Sequence, residues 1–96
     1  MVAFFAAEQP PIAINMRITV LFFAYLKELA KADQKTYDLA PSSTVEILGK
    51  LVAEGNQSMS ELLARSRVAV NEEWAAWSRP LSDGDIVAFI PPVSGG

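Results

Sequence analysis

The stretch Met16-Arg17-Ile18-Thr19-Val20-Leu21-Phe22-Phe23 decides the fold, because its β-branched and aromatic residues alternate as in a half-buried β-strand. Arg17 and Thr19 assign one face of this strand to solvent, so the alternate positions are predicted to face the core. Leu21 and Phe23 fall on the solvent face although both are apolar. The first strand therefore predicts a sheet with one buried face and a second face whose apolar residues need another explanation.

Short helices and further strands follow along the chain. Two capping boxes, Ser43-Thr44-Val45-Glu46 and Ser58-Met59-Ser60-Glu61, predict helices that are capped by Ser43 and Ser58. The cluster Ser82-Asp83-Gly84-Asp85 predicts a turn. The elements predicted beyond the first strand are a helix over 24–32, a strand over 36–39, a main helix that buries Val45, Leu48, Leu51 and Val52, a short helix with Leu62 and Leu63, and strands over 67–71, 74–77 and 86–90. One main helix packed across a mixed sheet of about five strands, with short extra helices, is an α+β roll.

The composition excludes most kinds of self-contained catalysis. The 96 residues are 51% hydrophobic and 20% charged, which is typical of one globular domain. The chain has no cysteine and no histidine, so it lacks disulfides, a thiolate nucleophile, the commonest general base and the commonest zinc ligands. We therefore expect a carrier or binding module that binds no cofactor or metal of its own.

Charge and hydropathy bound the expected partners. The net charge of −3 comes with no basic stripe that could neutralise phosphates, so nucleic acid is not an expected partner. The longest apolar stretch, residues 18–26, is far shorter than the ~20 residues that cross a bilayer, so a soluble protein without membrane contact is expected. Residues 1–15 contain Pro10-Pro11 and lack the features of a secretory signal, which predicts a flexible extension and a cytoplasmic location.

The C-terminal residues are the strongest chemical candidate. Pro91-Pro92 begins a stiff extended segment, and Ser94-Gly95-Gly96 places the terminal carboxylate on a thread without Cβ bulk. Such a thread fits a narrow active site of another protein, with Gly96 as the reacting residue and Gly95 as the residue that gives access. A frayed end is the alternative that the residues alone leave open. The predicted division is an extension over 1–15, a folded domain over 16–91 and a tail over 92–96.

A flat apolar patch is predicted beside this tail. On the last strand, Val87 and Phe89 are predicted to face the core, which turns Ala88 and Ile90 outward. Exposed apolar patches often mark interfaces. The predicted partner-binding residues are those of the patch and the first residues of the tail: Leu21, Phe23, Ala69, Ala88, Ile90, Pro91, Pro92, Val93 and Ser94.

Four stretches of the chain carry a family resemblance. They are residues 16–24, Leu26-Lys27-Glu28-Leu29, Val68-Ala69-Val70-Asn71 and, most specifically, the closing block of residues 80–96. On these stretches, residues 16–96 resemble the small subunit of molybdopterin synthase, the MoaD-type sulfur carriers of the ubiquitin-like family. The chain departs from the family pattern at Tyr25 and at Glu72, which follows Asn71 where the family has Asn-Gly.

The resemblance implies a ubiquitin-like β-grasp fold and a sulfur-carrier cycle centred on Gly96. A ubiquitin-activating-type adenylating enzyme would use ATP and Mg to convert the terminal carboxylate to an acyl-adenylate. A sulfur donor would then replace AMP and leave a thiocarboxylate. In a pocket of the large subunit of molybdopterin synthase, this group would give its sulfur to cyclic pyranopterin monophosphate. The small subunit is then non-catalytic, and two copies are expected on a dimer of large subunits, a 2:2 heterotetramer.

Three other functions stay open at this point. A sulfur carrier for thiamine or tRNA thiolation shares the Gly-Gly end. A ubiquitin-like protein modifier would instead be conjugated to lysines through Gly96. A non-covalent interaction domain would not need the two glycines.

Overall fold

Three short helices and five strands make up the described part of the chain. The computed structural model describes residues 15–92, whereas 1–14 and 93–96, and with them nearly all of the predicted extension and tail, lie outside the described residues. The elements are β1 (Met16–Phe22), α1 (Tyr25–Ala30), β2 (Gln34–Leu39), α2 (Val45–Val52), α3 (Gln57–Ala64), β3 (Arg67–Val70), β4 (Glu73–Ala75) and β5 (Ile86–Ile90). Within residues 15–92, no helix is long and apolar enough to cross a membrane. The predicted order of helices and strands is confirmed, although β4 is shorter than the predicted strand.

The strands form one sheet in the order β2-β1-β5-β3-β4. The neighbouring strands β1 and β5 run parallel, and the other neighbouring pairs are antiparallel. The parallel pair is possible because the chain crosses over through the helices and β3–β4 before it returns to the centre. The predicted α+β architecture with a mixed five-stranded sheet is therefore confirmed.

One face of this sheet is buried under the helices. Ile18, Val20, Val87 and Phe89 have no exposed surface, and Val68 is almost as well buried. The helices supply the facing apolar side chains Leu26, Val45, Leu48, Met59, Leu62 and Leu63. The predicted inward faces of the first and last strands are thus confirmed, and the alternate residues of β1, β3 and β5 point away from the helices.

Helix α2 is capped by Thr44 and by the segment that follows β4. The Thr44 Oγ1 accepts a hydrogen bond from the Ile47 N–H at 3.4 Å, and the backbone at Thr44 is extended as an N-cap requires. The carbonyls of Trp77 and Arg79 accept hydrogen bonds from the first two N–H groups of the helix. The prediction that Ser43 is the cap is wrong, because its hydroxyl donates to a preceding carbonyl instead.

Helix α3 begins at Gln57, two residues earlier than a cap at Ser58 would place it. Asn56 Oδ1 accepts a hydrogen bond from the Met59 N–H at 3.0 Å, so Asn56 is the cap and the prediction of Ser58 is wrong. Gly55, with φ +74°, reverses the chain after α2 and leaves Asn56 extended for this role. As a result, α3 is a full helix of eight residues rather than a short turn.

Gly49 gives α2 a flat side against Trp77. The rings of Trp77 and Phe89 are stacked with centroids 5.7 Å apart, so the half-buried Trp77 packs against the core. A Cβ on residue 49 would lie 2.8 Å from the Trp77 Cζ3. Because the Gly49 side of α2 faces the core, Leu51 lies off the buried stripe and is 37% exposed. The prediction that Leu51 is buried is therefore wrong.

Candidate partner-binding site

The face of the sheet opposite the helices carries an apolar groove. Leu21, Ala88 and Ala69 form a row across β1, β5 and β3, because Leu21 is the register partner of Ala88 and Ala88 that of Ala69. Because the two alanine side chains are short, they form the floor of a groove whose walls are the larger side chains around them. The groove encloses about 540 Å³. Its lining residues are Leu21, Phe23, Ala69, Asn71, Glu72, Ile86, Ala88 and Ile90.

The structure brings together all five patch residues that the sequence predicts. Leu21, Ala69, Ala88 and Ile90 are half-buried, whereas Phe23 lies just beyond β1 and is 45% exposed. These side chains keep their apolar surface in contact with solvent, which is unfavourable by roughly 25 cal/mol per Å² until another surface covers it. Their arrangement is that of a docking face, and their role in binding stays a prediction.

Arg67 and Trp74 extend this face at the edge formed by β3 and β4. Trp74 is the register partner of Ala69, so it continues the row of the groove, and it is 57% exposed. The Arg67 guanidinium carbon lies 3.7 Å from the centroid of the Trp74 ring, a cation–π contact. Sequence reasoning missed Trp74 because the face it occupies depends on the register across the β3–β4 turn.

That turn consists of Asn71 and Glu72, both with positive φ, +51° and +71°. Val70 and Glu73 are register partners, so only two residues connect the strands, as in a type I′ hairpin. The Asn71 side chain accepts a hydrogen bond from the Ile86 N–H at 2.9 Å. It thereby attaches the turn to the start of β5. A two-residue Asn-led loop is the signal from which the register, and hence Trp74, could have been found.

Asp83 and Asp85 are turn residues, as predicted. Asp83 Oδ1 accepts a hydrogen bond from the Arg17 N–H at 2.7 Å, which ties the turn to β1. The carboxylate of Asp85 accepts from the Ser82 N–H and from the Asn71 side-chain amide. Over residues 15–92, no group of three or more acidic residues is placed to hold a metal ion.

The tail leaves the sheet at one end of the groove. β1 and β5 are parallel and Phe22 is the partner of Phe89, so Phe23 and Ile90 lie at the same end. Pro91 follows there half-buried, and Pro92 is exposed. The other predicted tail residues, Val93, Ser94, Gly95 and Gly96, lie outside the described residues. The last described residues therefore leave the sheet at the same end of the groove as Phe23.

Comparison with known proteins gives a consistent picture. Residues 20–96, which contain the groove and the Gly-Gly end, match the ThiS family. The chain is 41% identical over 81 residues to the molybdopterin synthase sulfur carrier subunit of Escherichia coli (strain K12), with 82% of this chain and 99% of that protein covered. It is 34% identical over 86 residues to the protein of the same name from Chlamydomonas reinhardtii, with 84% and 100% covered.

Solved structures share the fold. SAMP1 of Haloferax volcanii, a small archaeal modifier protein, is 31% identical with a TM-score of 0.67, over 83% of this chain and 99% of that one. Together with the order and directions of the strands, such likenesses confirm the ubiquitin-like β-grasp fold.

Proposed function

Since the chain belongs to the ThiS family, we propose that it is the sulfur carrier subunit of a molybdopterin synthase and that the terminal carboxylate of Gly96 carries the sulfur. The observation that carries this proposal is the 41% identity to the sulfur carrier subunit of Escherichia coli over 99% of that protein. The groove and the exit of the tail beside it support the proposal, because a carrier must dock on a partner while its end reaches an active site.

The chemistry fits a chain without cysteine or histidine. A carboxylate is inert towards sulfur nucleophiles, so a Gly96 carboxylate oxygen first attacks the α-phosphorus of ATP, and pyrophosphate leaves. Hydrosulfide from a sulfur donor then attacks the acyl carbon of the adenylate, AMP leaves with the bonding electron pair, and loss of the S–H proton gives the thiocarboxylate. Its sulfur next attacks a carbon of cyclic pyranopterin monophosphate, and an oxygen substituent leaves that carbon. Water then attacks the acyl carbon, the acyl–sulfur bond breaks so that the sulfur stays on the pterin, and the carboxylate of Gly96 is restored.

Other proteins supply the machinery for these steps. We assign adenylation with Mg-ATP to a ubiquitin-activating-type enzyme and sulfur transfer to the large subunit of the synthase, with two copies of each subunit in the assembly. The role of this chain is to present Gly96 on a thread that Gly95 keeps narrow, and to dock through the groove. We place this cycle in the cytoplasm.

A protein modifier is the second candidate function. It is favoured by one observation, the 31% identity to SAMP1 of Haloferax volcanii. Both functions use an activated Gly96, but they differ in the nucleophile that attacks it. A sulfur donor produces a thiocarboxylate, whereas a lysine amine produces an isopeptide bond to another protein.

The test is to incubate the chain with ATP, the activating enzyme and a sulfur donor, and then to measure the intact mass and the dithiolene formed with the large subunit. We expect one oxygen to be replaced by sulfur at the C-terminus. Deletion of Gly96 and Gly95→Trp should abolish sulfur transfer, while the control Ser58→Ala, at an exposed position of α3 away from the groove, keeps it. The variants should unfold like the wild type, because the described core lies between Met16 and Phe89.

Two results would contradict the proposal. Dithiolene formation by the chain that lacks Gly96 would show that the sulfur is carried elsewhere. Adducts on other proteins, without a thiocarboxylate, would favour the modifier.

A further inference from the structure

The apolar groove has side chains of opposite charge at its two ends. Glu72 lines the end formed by the β3–β4 turn. Arg67 lies at the end from which the tail leaves, because it is the register partner of Ile90. Arg67 also shares the outward face of β3 with Ala69 in the floor of the groove. A surface that covers this groove therefore meets a cation near the tail and an anion at the opposite end.

The Arg67 cation is held in place without being neutralised. Its guanidinium carbon lies 3.7 Å from the centroid of the Trp74 ring, which fixes the side chain on the edge of the docking face. Arg67 makes no ion pair within 4.0 Å with any residue that the structure describes. Trp74 and Arg67 are also the residue types that most often dominate interface energies. The cation is thus ordered in advance and open to a carboxylate.

Glycine in place of Glu72 would make this turn more stable. The φ of Glu72, +71°, is left-handed, a conformation that glycine adopts without the cost that a Cβ brings. Within residues 15–92, its carboxylate accepts no hydrogen bond and joins no ion pair, so no contact inside the described fold explains the residue. Strain at such a position points to a role outside the folding of the chain.

We propose that Arg67 and Glu72 determine which partner docks on the groove and in which orientation. Arg67 pairs with a carboxylate and Glu72 with a basic side chain of the same partner, the large subunit of the synthase. The proposal rests on the proposed function, which supplies that partner. A groove flanked by both signs fits a protein surface of complementary charges, and the two pairs together exclude the reversed orientation.

The experiment is a calorimetric titration of the large subunit from the same organism with the full chain and its variants. Arg67→Ala and Glu72→Gln should each weaken binding about tenfold or more, since a truncated charge leaves its partner unpaired in the interface. The matched controls Arg65→Ala and Glu54→Gln remove the same charges from the helical side of the molecule. They should change the dissociation constant by less than about twofold.

Two comparisons separate charge from stability. Glu72→Gln keeps the strained Cβ and Glu72→Gly removes it, so the glycine variant should unfold at higher urea concentration although both bind equally weakly. Trp74→Ala should weaken binding in the wild type and have a smaller effect in Arg67→Ala, because the ring acts partly by holding the guanidinium. The affinity of the wild type for the large subunit should also fall as the salt concentration is raised, and the affinity of Arg67→Ala should fall less over the same range.

Three outcomes would overturn the inference. Dissociation constants of Arg67→Ala and Glu72→Gln within about twofold of the wild type would show that the charges do not select the partner. An equal loss in the two control variants would show that only net charge matters. If either result is found while the wild type still forms a thiocarboxylate and transfers its sulfur, the proposed function stands and only the inference fails. If the wild type does not bind the large subunit at all, the inference and the proposed function both fail.

Discussion

Gly49→Ala should destabilise the protein, although alanine is the better helix former. In an exposed helix interior, the replacement of glycine by alanine stabilises by about 1 kcal/mol. Here the new Cβ would lie 2.8 Å from the Trp77 Cζ3, whereas ordinary contacts begin at 3.4 Å, so the ring must move by about 0.6 Å. Trp77 cannot move freely, because it is stacked on the fully buried Phe89.

The expected magnitude follows from these opposing effects. Overpacking of a core costs about 1–3 kcal/mol, so the net loss in the free energy of unfolding is about 1 kcal/mol. For a domain of this size, that corresponds to a decrease of ~4–8 °C in the melting temperature. Urea unfolding monitored by circular dichroism measures the loss in the free energy of unfolding. In the Trp77→Phe background, which lacks the outer ring, the same Gly49→Ala change should stabilise instead. A gain in stability in the wild-type background would refute the reasoning.

Three further predictions concern other parts of the molecule. Phe23→Asp should weaken binding of the large subunit about tenfold or more without a loss of folding, whereas Tyr25→Asp, another exposed aromatic that lies off the groove, should not; equal affinities would contradict the docking face. Asn56→Ala should lower the free energy of unfolding by about 1 kcal/mol and Ser58→Ala by less than ~0.5 kcal/mol, and urea titrations that give the reverse order would restore the serine cap. Burial raises the pKa of Tyr37 above its ordinary 10.0, so its contribution to stability is complete below that pH and is lost as the pH rises through the raised value in the folded state. The urea midpoint should therefore fall less steeply above about pH 10 in Tyr37→Phe, and an unchanged slope would contradict this.

The strands could be predicted from the sequence because their faces differ in chemistry. In β1, polar Arg17 and Thr19 alternate with residues that have to be buried, so the period alone assigns the core face. The same alternation assigns Ala88 and Ile90 to the open face of β5. Leu21, an apolar residue on the solvent face of β1, indicated that this face carries an apolar surface.

The caps and the far edge of the face could not be predicted with the same certainty. Both serine boxes have neighbours that can cap equally well, and the choice of Thr44 and Asn56 depends on where the preceding chain turns. The place of Trp74 depends on a turn that lacks the glycine typical of its class. Local patterns carry the period of a strand, but register across a turn is a property of two strands together.

The central position of β5 has a consequence for how the protein is made. β5 joins the β1–β2 pair to the β3–β4 pair, and the neighbouring turn closes on β1 through a hydrogen bond between residues 66 positions apart. Until residues 86–90 have left the ribosome, the β1–β2 pair and the β3–β4 pair cannot join in one sheet. Their apolar inner faces then stay incompletely covered, because such long-range pairing forms late. A polypeptide interrupted before Ile86 is therefore both open to proteases and without Gly96. A chain without β5 also lacks Ile86, Ala88 and Ile90 of the groove, so it is not expected to present the docking face.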